Sequence, residues 1–67
     1  MIPYERQQAI VEALKSHDIL KMEELQQLLP GVSESTLRRD IRELEDNRQL
    51  QRLSGGAVKA YATVAEL

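Results

Sequence analysis

The chain has 67 residues, no cysteine, one histidine and a formal net charge of −2, so it holds one small domain with a thin core and has no room for a large enclosed active site. Because cysteine is absent, a disulfide framework and a thiolate zinc site are both excluded, and a single histidine without an enclosed set of acids and bases argues against an enzyme. No apolar run approaches the roughly 20 residues of a membrane span, and the first residues lack the basic and apolar regions of a signal peptide. We therefore expect a cytoplasmic protein. From its residue types we also expect that it is not an enzyme and needs neither metal nor cofactor.

The first predicted element is a helix from Pro3 to about Ser16. Proline suits the first helical position, and Ile10 and Leu14 lie on one stripe at helical spacing. The pattern breaks after Ser16, and Ile19-Leu20 form a short apolar link. We expect this link to be extended and to pair with a later strand.

A second helix is predicted to begin near Met22. Lys21 at its capping position offers no acceptor for the first amides, but Glu24 can reach back to the cap from three residues on. Pro30-Gly31 end the helix, because proline cannot continue it and glycine is free to take a positive φ.

The third helix is predicted from about Ser33 to Asp46. Ser33 is a strong N-cap, and Glu34 suits the positive end of the helix dipole. Since only a short turn separates this helix from the second one, the two form a helix-turn-helix.

Two short β-capable stretches follow, from Gln49 to Leu53 and from Ala57 to Tyr61, joined by Ser54-Gly55-Gly56. The paired glycines indicate a hairpin turn. The predicted fold is mainly α (α+β), a winged helix-turn-helix in which a three-helix bundle precedes a two-stranded β-hairpin wing. We expect residues 1–61 to form this domain and residues 62–67 to begin a linker to a C-terminal effector domain that the chain does not contain.

The charges are unevenly distributed along the chain. Acidic side chains lead up to Gly31, whereas basic side chains outnumber acidic ones between Thr36 and Lys59. A surface that binds an anion is therefore expected in the second half.

The third helix has an apolar face and a cationic face. Leu37, Ile41 and Leu44 form its apolar stripe, and the residues on the opposite side are Ser35, Arg38, Arg39 and Arg42. A helix fits the major groove of B-DNA, where arginine can donate paired hydrogen bonds to guanine. The alternative is a solvated face on which these arginines pair with Glu34, Glu43 or Asp46 along the helix.

Other charged residues have less specific signals. Asp40 lies at the edge of the core, where it is expected to be a structural partner for an arginine or a backbone amide. Arg52 and Lys59 flank the Gly55-Gly56 tip and either reach DNA phosphates or a minor groove, or remain solvated. The sequence leaves these two possibilities open.

A longer pattern consists of the run Val32-Ser33-Glu34-Ser35-Thr36-Leu37-Arg38-Arg39-Asp40-Ile41-Arg42-Glu43-Leu44-Glu45, followed by Arg52 and by Gly55-Gly56-Ala57-Val58. This pattern resembles the N-terminal domain of the DeoR family of bacterial transcription repressors. The resemblance extends from about Tyr4 to Val58. It implies DNA contacts for Ser33, Ser35, Thr36, Arg38 and Arg39. It also implies a larger C-terminal domain that senses a phosphorylated sugar or a related metabolite and forms oligomers.

Three positions depart from the family pattern. Pro30 is an extra residue in the turn between helices two and three. Arg48 stands where a glycine usually follows the third helix, so Asn47 is predicted to supply the left-handed cap. Ser54 stands where a histidine usually precedes the paired glycines.

The sequence therefore predicts sequence-specific binding of double-stranded operator DNA by helix 33–46, with repression of a sugar or nucleoside metabolism operon. The predicted DNA-binding residues are Ser33, Ser35, Thr36, Arg38, Arg39, Arg42, Arg52, Gly55 and Gly56. The full-length protein is expected to be a homo-oligomer, with no membrane association and with a small-molecule effector bound only by the C-terminal domain. The alternative is a winged helix that mediates protein–protein interaction, for which added salt would not weaken binding steeply.

Overall fold

The computed structural model describes residues 2–61, so the linker predicted for residues 62–67 lies outside the described residues. The elements, in chain order, are α1 (Pro3–Ser16), β1 (Ile19–Leu20), α2 (Met22–Leu28), α3 (Glu34–Asp46), β2 (Leu50–Arg52), a turn at Ser54–Gly56 and β3 (Val58–Ala60). This order confirms the predicted winged helix-turn-helix. Within residues 2–61, no helix has both the length and the apolar character that crossing a membrane requires.

The sheet has three antiparallel strands in the order β1-β3-β2. Leu20 lies opposite Val58, and Val58 in turn lies opposite Arg52. The expected pairing of the Ile19-Leu20 link is thus confirmed, and β1 adds a third strand to the two-stranded wing hairpin. The link between α1 and α2 is therefore fixed to the wing.

Local signals set the starts of α2 and α3. The backbone N–H of Lys21 donates to Glu24 Oε1 at 2.7 Å, which is the predicted reach back to the cap. Ser33 Oγ accepts from the Thr36 amide at 3.3 Å, as expected of an N-cap serine. Each helix therefore begins where its sequence predicts.

One hydrophobic core joins all three helices to the sheet. Its buried residues are Ile10, Leu14, Leu20, Leu25, Leu29, Leu37, Ile41, Leu44, Leu50 and Val58. The apolar stripe predicted for α3 is buried, with Leu37 and Leu44 fully inaccessible. Burial of this stripe fixes which side of α3 remains on the surface.

The left-handed residue after α3 is Arg48, with φ 60°, and the prediction that Asn47 takes this conformation is wrong. Asn47 has φ −87° and is the C-cap. The amide of Arg48 donates to the carbonyl of Glu45, and the amide of Gln49 donates to that of Leu44, both at 2.9 Å. This pair of bonds is the Schellman pattern, which requires the left-handed conformation one residue beyond the C-cap.

Candidate nucleic-acid interface

An ion pair between α1 and α3 sets the orientation of α3. Arg6 donates from Nε to Asp40 Oδ2 at 2.6 Å and from Nη2 to Asp40 Oδ1 at 3.1 Å. Gln7 Nε2 donates to Asp40 Oδ1 at 3.3 Å and to Glu43 Oε1 at 2.7 Å. The predicted structural role of Asp40 is confirmed, because these bonds attach its side of α3 to α1.

The electrostatics of this contact favour a charged Arg6. The side-chain hydrogen bond that Arg6 donates to Asp40 raises the pKa of the Arg6 guanidinium more than burial lowers it, and the negative charges of Asp40 and Glu43 raise it further. These interactions favour the charged form of the Arg6 guanidinium.

The side of α3 opposite the core is exposed. Its accessible residues include Ser35, Arg38, Arg39 and Arg42, in agreement with the helical spacing. An exposed row of guanidinium groups on a helix of this kind can donate to guanine bases or to phosphates.

The arginines on this face differ in their partners. Arg38 donates from Nε to Glu34 Oε2 at 3.1 Å and also from Nη2 to the same oxygen, so the alternative predicted for this face, an ion pair along the helix, is present at Arg38. Within residues 2–61, Arg39 and Arg42 take part in no ion pair. Their guanidinium groups are accessible to a ligand.

The first turn of α3 carries a set of linked hydroxyl groups. Ser33 Oγ lies 3.2 Å from Ser35 Oγ and 3.0 Å from Thr36 Oγ1. Ser33 and Thr36 line an open cleft of about 530 Å³ between Arg6 and the turn that joins α2 to α3. Ser35 is exposed beside this cleft. The hydroxyls lie at the positive end of the α3 dipole, where they can donate to an anion.

The wing lies beside α3 and is bonded to it. Arg52 donates from Nε to Glu45 Oε1 at 2.8 Å, and this contact links β2 to the helix. Gly55 and Gly56 form the tip with φ values of 81° and 89°, which glycine adopts without strain. Lys59 lies on the central strand between Ile19 and Gln51, away from the tip.

The structure brings the wing and α3 together at a second, smaller cleft. It has a volume of about 90 Å³ and is lined by Met22, Arg38, Ile41, Arg42, Arg52 and Gly56. Four of the predicted DNA-binding residues therefore share one cavity, although they come from α3, from β2 and from the turn at the wing tip.

Sequence reasoning did not identify Gln7 or Glu45 as part of this surface. Gln7 contacts α3 across more than 30 positions of the sequence, and Glu45 contacts a strand seven positions further on. Neither contact has a local sequence signal, because neither falls at the three- or four-residue spacing of a helix surface.

A helix-turn-helix with an adjoining wing and an exposed, arginine-bearing second helix defines the class of winged DNA-binding domains found in transcription regulators. The DeoR-like helix-turn-helix domain family matches residues 6–63. The chain belongs to this family.

Curated relatives carry names of the same kind. The chain is 44% identical over 59 residues to an uncharacterized HTH-type transcriptional regulator, FruR, of Bacillus subtilis, and the alignment covers 88% of this chain and 23% of the relative. It is 47% identical over 58 residues to the HTH-type transcriptional regulator GlpR of Haloferax volcanii, covering 87% of this chain and 22% of the relative. It is 38% identical over 58 residues to the HTH-type transcriptional regulator GolR of Listeria innocua, again covering 87% and 22%. The chain spans less than a quarter of the length of these relatives.

Proposed function

We propose that the domain binds a specific operator in double-stranded DNA by placing α3 in the major groove. The observation that supports this proposal is the exposed face of Ser35, Arg38, Arg39 and Arg42 on a helix whose opposite side is buried. The Arg6–Asp40 contact holds that helix in one rotation, and base readout depends on such fixed geometry. Membership of the DeoR-like family supports the same function.

Arg39 is the residue that we assign to base recognition most directly. It is exposed and takes part in no ion pair among residues 2–61, so binding a base requires no internal bond to break. A paired donation from one guanidinium to guanine O6 and N7 contributes about 1–3 kcal/mol of discrimination. Arg38 lies on the same surface, but its ion pair with Glu34 must break before it can bind DNA.

The first turn of α3 and the wing supply contacts to the DNA backbone. Ser33, Ser35 and Thr36 donate to phosphates near the positive end of the helix dipole. Gly55 and Gly56 carry no side chain, so the wing tip can approach the sugar-phosphate backbone closely. Such contacts set the register of the helix in the groove without reading the sequence.

For the full-length protein we propose a cytoplasmic, homo-oligomeric repressor of a sugar or nucleoside metabolism operon. Its effector would bind a C-terminal domain that follows residues 62–67. The family match and the much greater length of the relatives support this arrangement. Two copies of the domain on paired half-sites would raise the affinity above that of one domain.

The test begins with selection of binding sequences from a pool of random duplexes by the purified domain. Fluorescence anisotropy then compares the selected duplex with a scrambled one of the same composition. We expect the Arg39→Ala and Arg38→Ala variants each to lose about 10- to 100-fold in affinity for the selected duplex. Lys15→Ala is the control, because Lys15 is exposed on α1 and, among residues 2–61, its one ion pair is with Glu12.

Two results would contradict the proposal. One is a pool in which no sequence becomes enriched. The other is an Arg38→Ala/Arg39→Ala double variant that keeps both its fold and its full affinity. Titration in increasing salt separates DNA binding from a protein-association role, since release of counterions weakens only the former steeply.

A further inference from the structure

The small cleft between α3 and the wing tip, termed the seam cleft, gathers cationic groups from two elements. Arg38 and Arg42 reach it from α3, and Arg52 reaches it from β2. Met22 and Ile41 supply apolar lining, and Gly56 forms part of the rim on the wing side. A cavity that collects three guanidinium groups is suited to an anion.

The seam cleft keeps a net positive charge after its internal ion pairs are counted. Glu34 pairs with Arg38, and Glu45 pairs with Arg52. Arg42 has no such carboxylate within residues 2–61. Counted over the described residues, the cleft therefore retains one uncompensated cation, which can take up a singly charged anion such as one phosphodiester.

The ion pair with Glu45 leaves most of the Arg52 donors available. Glu45 accepts only from Nε, at 2.8 Å, whereas a guanidinium has five N–H groups in a fixed fork. Within residues 2–61, the terminal nitrogens of Arg52 have no hydrogen-bond partner. Glu45 thus holds the plane of the Arg52 guanidinium and leaves its outer edge unoccupied.

We infer that the seam cleft binds a single phosphate of the DNA backbone, shared by Arg42 of α3 and Arg52 of the wing. This inference rests on the proposed function and assigns Arg42 to the backbone rather than to a base. Arg39 does not line the seam cleft, so base reading and phosphate binding are divided between neighbouring arginines of one helix. The shared phosphate makes the recognition helix and the wing engage DNA as one unit.

Substitution of single phosphates in the selected duplex tests the inference. Each duplex carries a neutral methylphosphonate at one backbone position, and the full set is titrated with wild-type domain, Arg42→Gln, Arg52→Gln and Arg39→Gln by fluorescence anisotropy. We expect one position at which the methylphosphonate lowers the affinity of the wild-type domain about tenfold. At that position it should lower the affinity of Arg42→Gln and of Arg52→Gln by no more than about twofold. Arg39→Gln binds more weakly overall but keeps the tenfold sensitivity at that position.

The same variants give a second, independent readout on the unmodified duplex. If both arginines hold one phosphate, the loss in the Arg42→Gln/Arg52→Gln double variant is smaller than the product of the two single losses. Lys15→Gln removes the same charge from α1 and controls for net charge. Thermal melting of each variant checks that the fold is kept, which is expected because both side chains are exposed.

The inference is overturned if Arg42→Gln and Arg52→Gln lose sensitivity to the methylphosphonate at different positions, or if neither variant loses it at any position. It is also overturned if the loss of affinity in the double variant equals the product of the two single losses. These outcomes require a wild-type domain that binds the selected duplex. They are therefore distinct from failure of the proposed function, in which wild-type domain selects no duplex at all.

Discussion

Arg6 and Asp40 lie 34 positions apart in the sequence and form an ion pair in which Nε is 2.6 Å from Oδ2. Their side chains are only 13% and 2% exposed. Because Asp40 belongs to α3 and Arg6 to α1, the pair acts together with the buried apolar stripe to fix the rotation of α3 about its own axis. That rotation determines which of the α3 side chains point away from the core.

The first prediction concerns the coupling within this pair. Asp40→Asn keeps the shape of the side chain but removes its charge, so the largely buried Arg6 loses its ion pair with Asp40. We expect the melting temperature to fall on the order of 10 °C, as measured by circular dichroism. Arg6→Gln should cost a similar amount, and the double variant should cost clearly less than the sum. Additive losses would show that the two residues act independently.

The second prediction follows from the raised pKa of Arg6, which is caused mainly by the hydrogen bond that Arg6 donates to Asp40. A cation whose folded-state pKa is raised contributes stability that is fully present below the unfolded-state value and is lost only as the pH rises through the folded-state value. Both values lie far above neutrality. The difference in melting temperature between wild type and Arg6→Gln should therefore stay constant from pH 7 to about pH 10, and a marked narrowing over that range would contradict the assignment.

The third prediction uses the left-handed Arg48, with φ 60°. A residue with a side chain is destabilised by roughly 1–2 kcal/mol in that conformation, whereas glycine is not. Glycine offsets part of this gain because it increases the entropy of the unfolded chain. We expect Arg48→Gly to raise the free energy of unfolding by about 0.5–1 kcal/mol in urea titrations. Asn47→Gly is the matched control and should lower it, because Asn47 has φ −87°. Equal effects at the two positions would contradict the assigned cap.

The sequence predicts the helices and the two faces of α3 because their signals are local. A capping serine at 33 and an apolar stripe of Leu37, Ile41 and Leu44 need no knowledge of the rest of the chain. The cap after α3 could not be placed in the same way. Residue type favours Asn47 there, but the backbone hydrogen bonds beyond Leu44 select Arg48.

The candidate site shows the same division. Helical spacing places Arg38, Arg39 and Arg42 on one face, but only the folded chain shows that Arg42 and Arg52 line one cleft. Convergence of residues from a helix and a strand depends on how the wing packs, and packing arises from burial of the whole core rather than from any short segment.

The fourth prediction separates the two faces of α3. Leu37 is fully buried, so Leu37→Ala removes packed methyl groups and should cost about 2–5 kcal/mol of unfolding free energy. Arg39→Ala alters an exposed residue and should change stability by less than about 0.5 kcal/mol, while reducing DNA affinity. Urea denaturation and anisotropy on the selected duplex measure the two effects. A large loss of stability in Arg39→Ala would show that its side chain packs rather than binds.

The last prediction concerns Glu34, which holds Arg38 on the surface that we assign to DNA. Their side chains are 47% and 66% exposed, and ion pairs this accessible contribute little to stability. Glu34→Gln should lower the melting temperature by no more than a few degrees, since it removes this weak pair and a favourable charge at the N-terminus of α3. It should also release Arg38 and remove a negative charge close to the DNA, so affinity for the scrambled duplex should rise by about three- to tenfold at low salt and less at high salt.

Glu12→Gln is the matched control for this substitution. It breaks a helical ion pair with Lys15, 3.0 Å long, and changes the net charge by the same amount, but on α1. A local effect of Glu34 predicts little change in Glu12→Gln. Equal gains in both variants would assign the effect to net charge, and a loss of affinity in Glu34→Gln would mean that Glu34 orients Arg38 for binding. The gain should be larger for the scrambled duplex than for the selected one, because non-specific binding rests almost entirely on electrostatic contacts. Discrimination between the two duplexes should therefore fall in Glu34→Gln, which would mean that Glu34 limits binding to the wrong sequences.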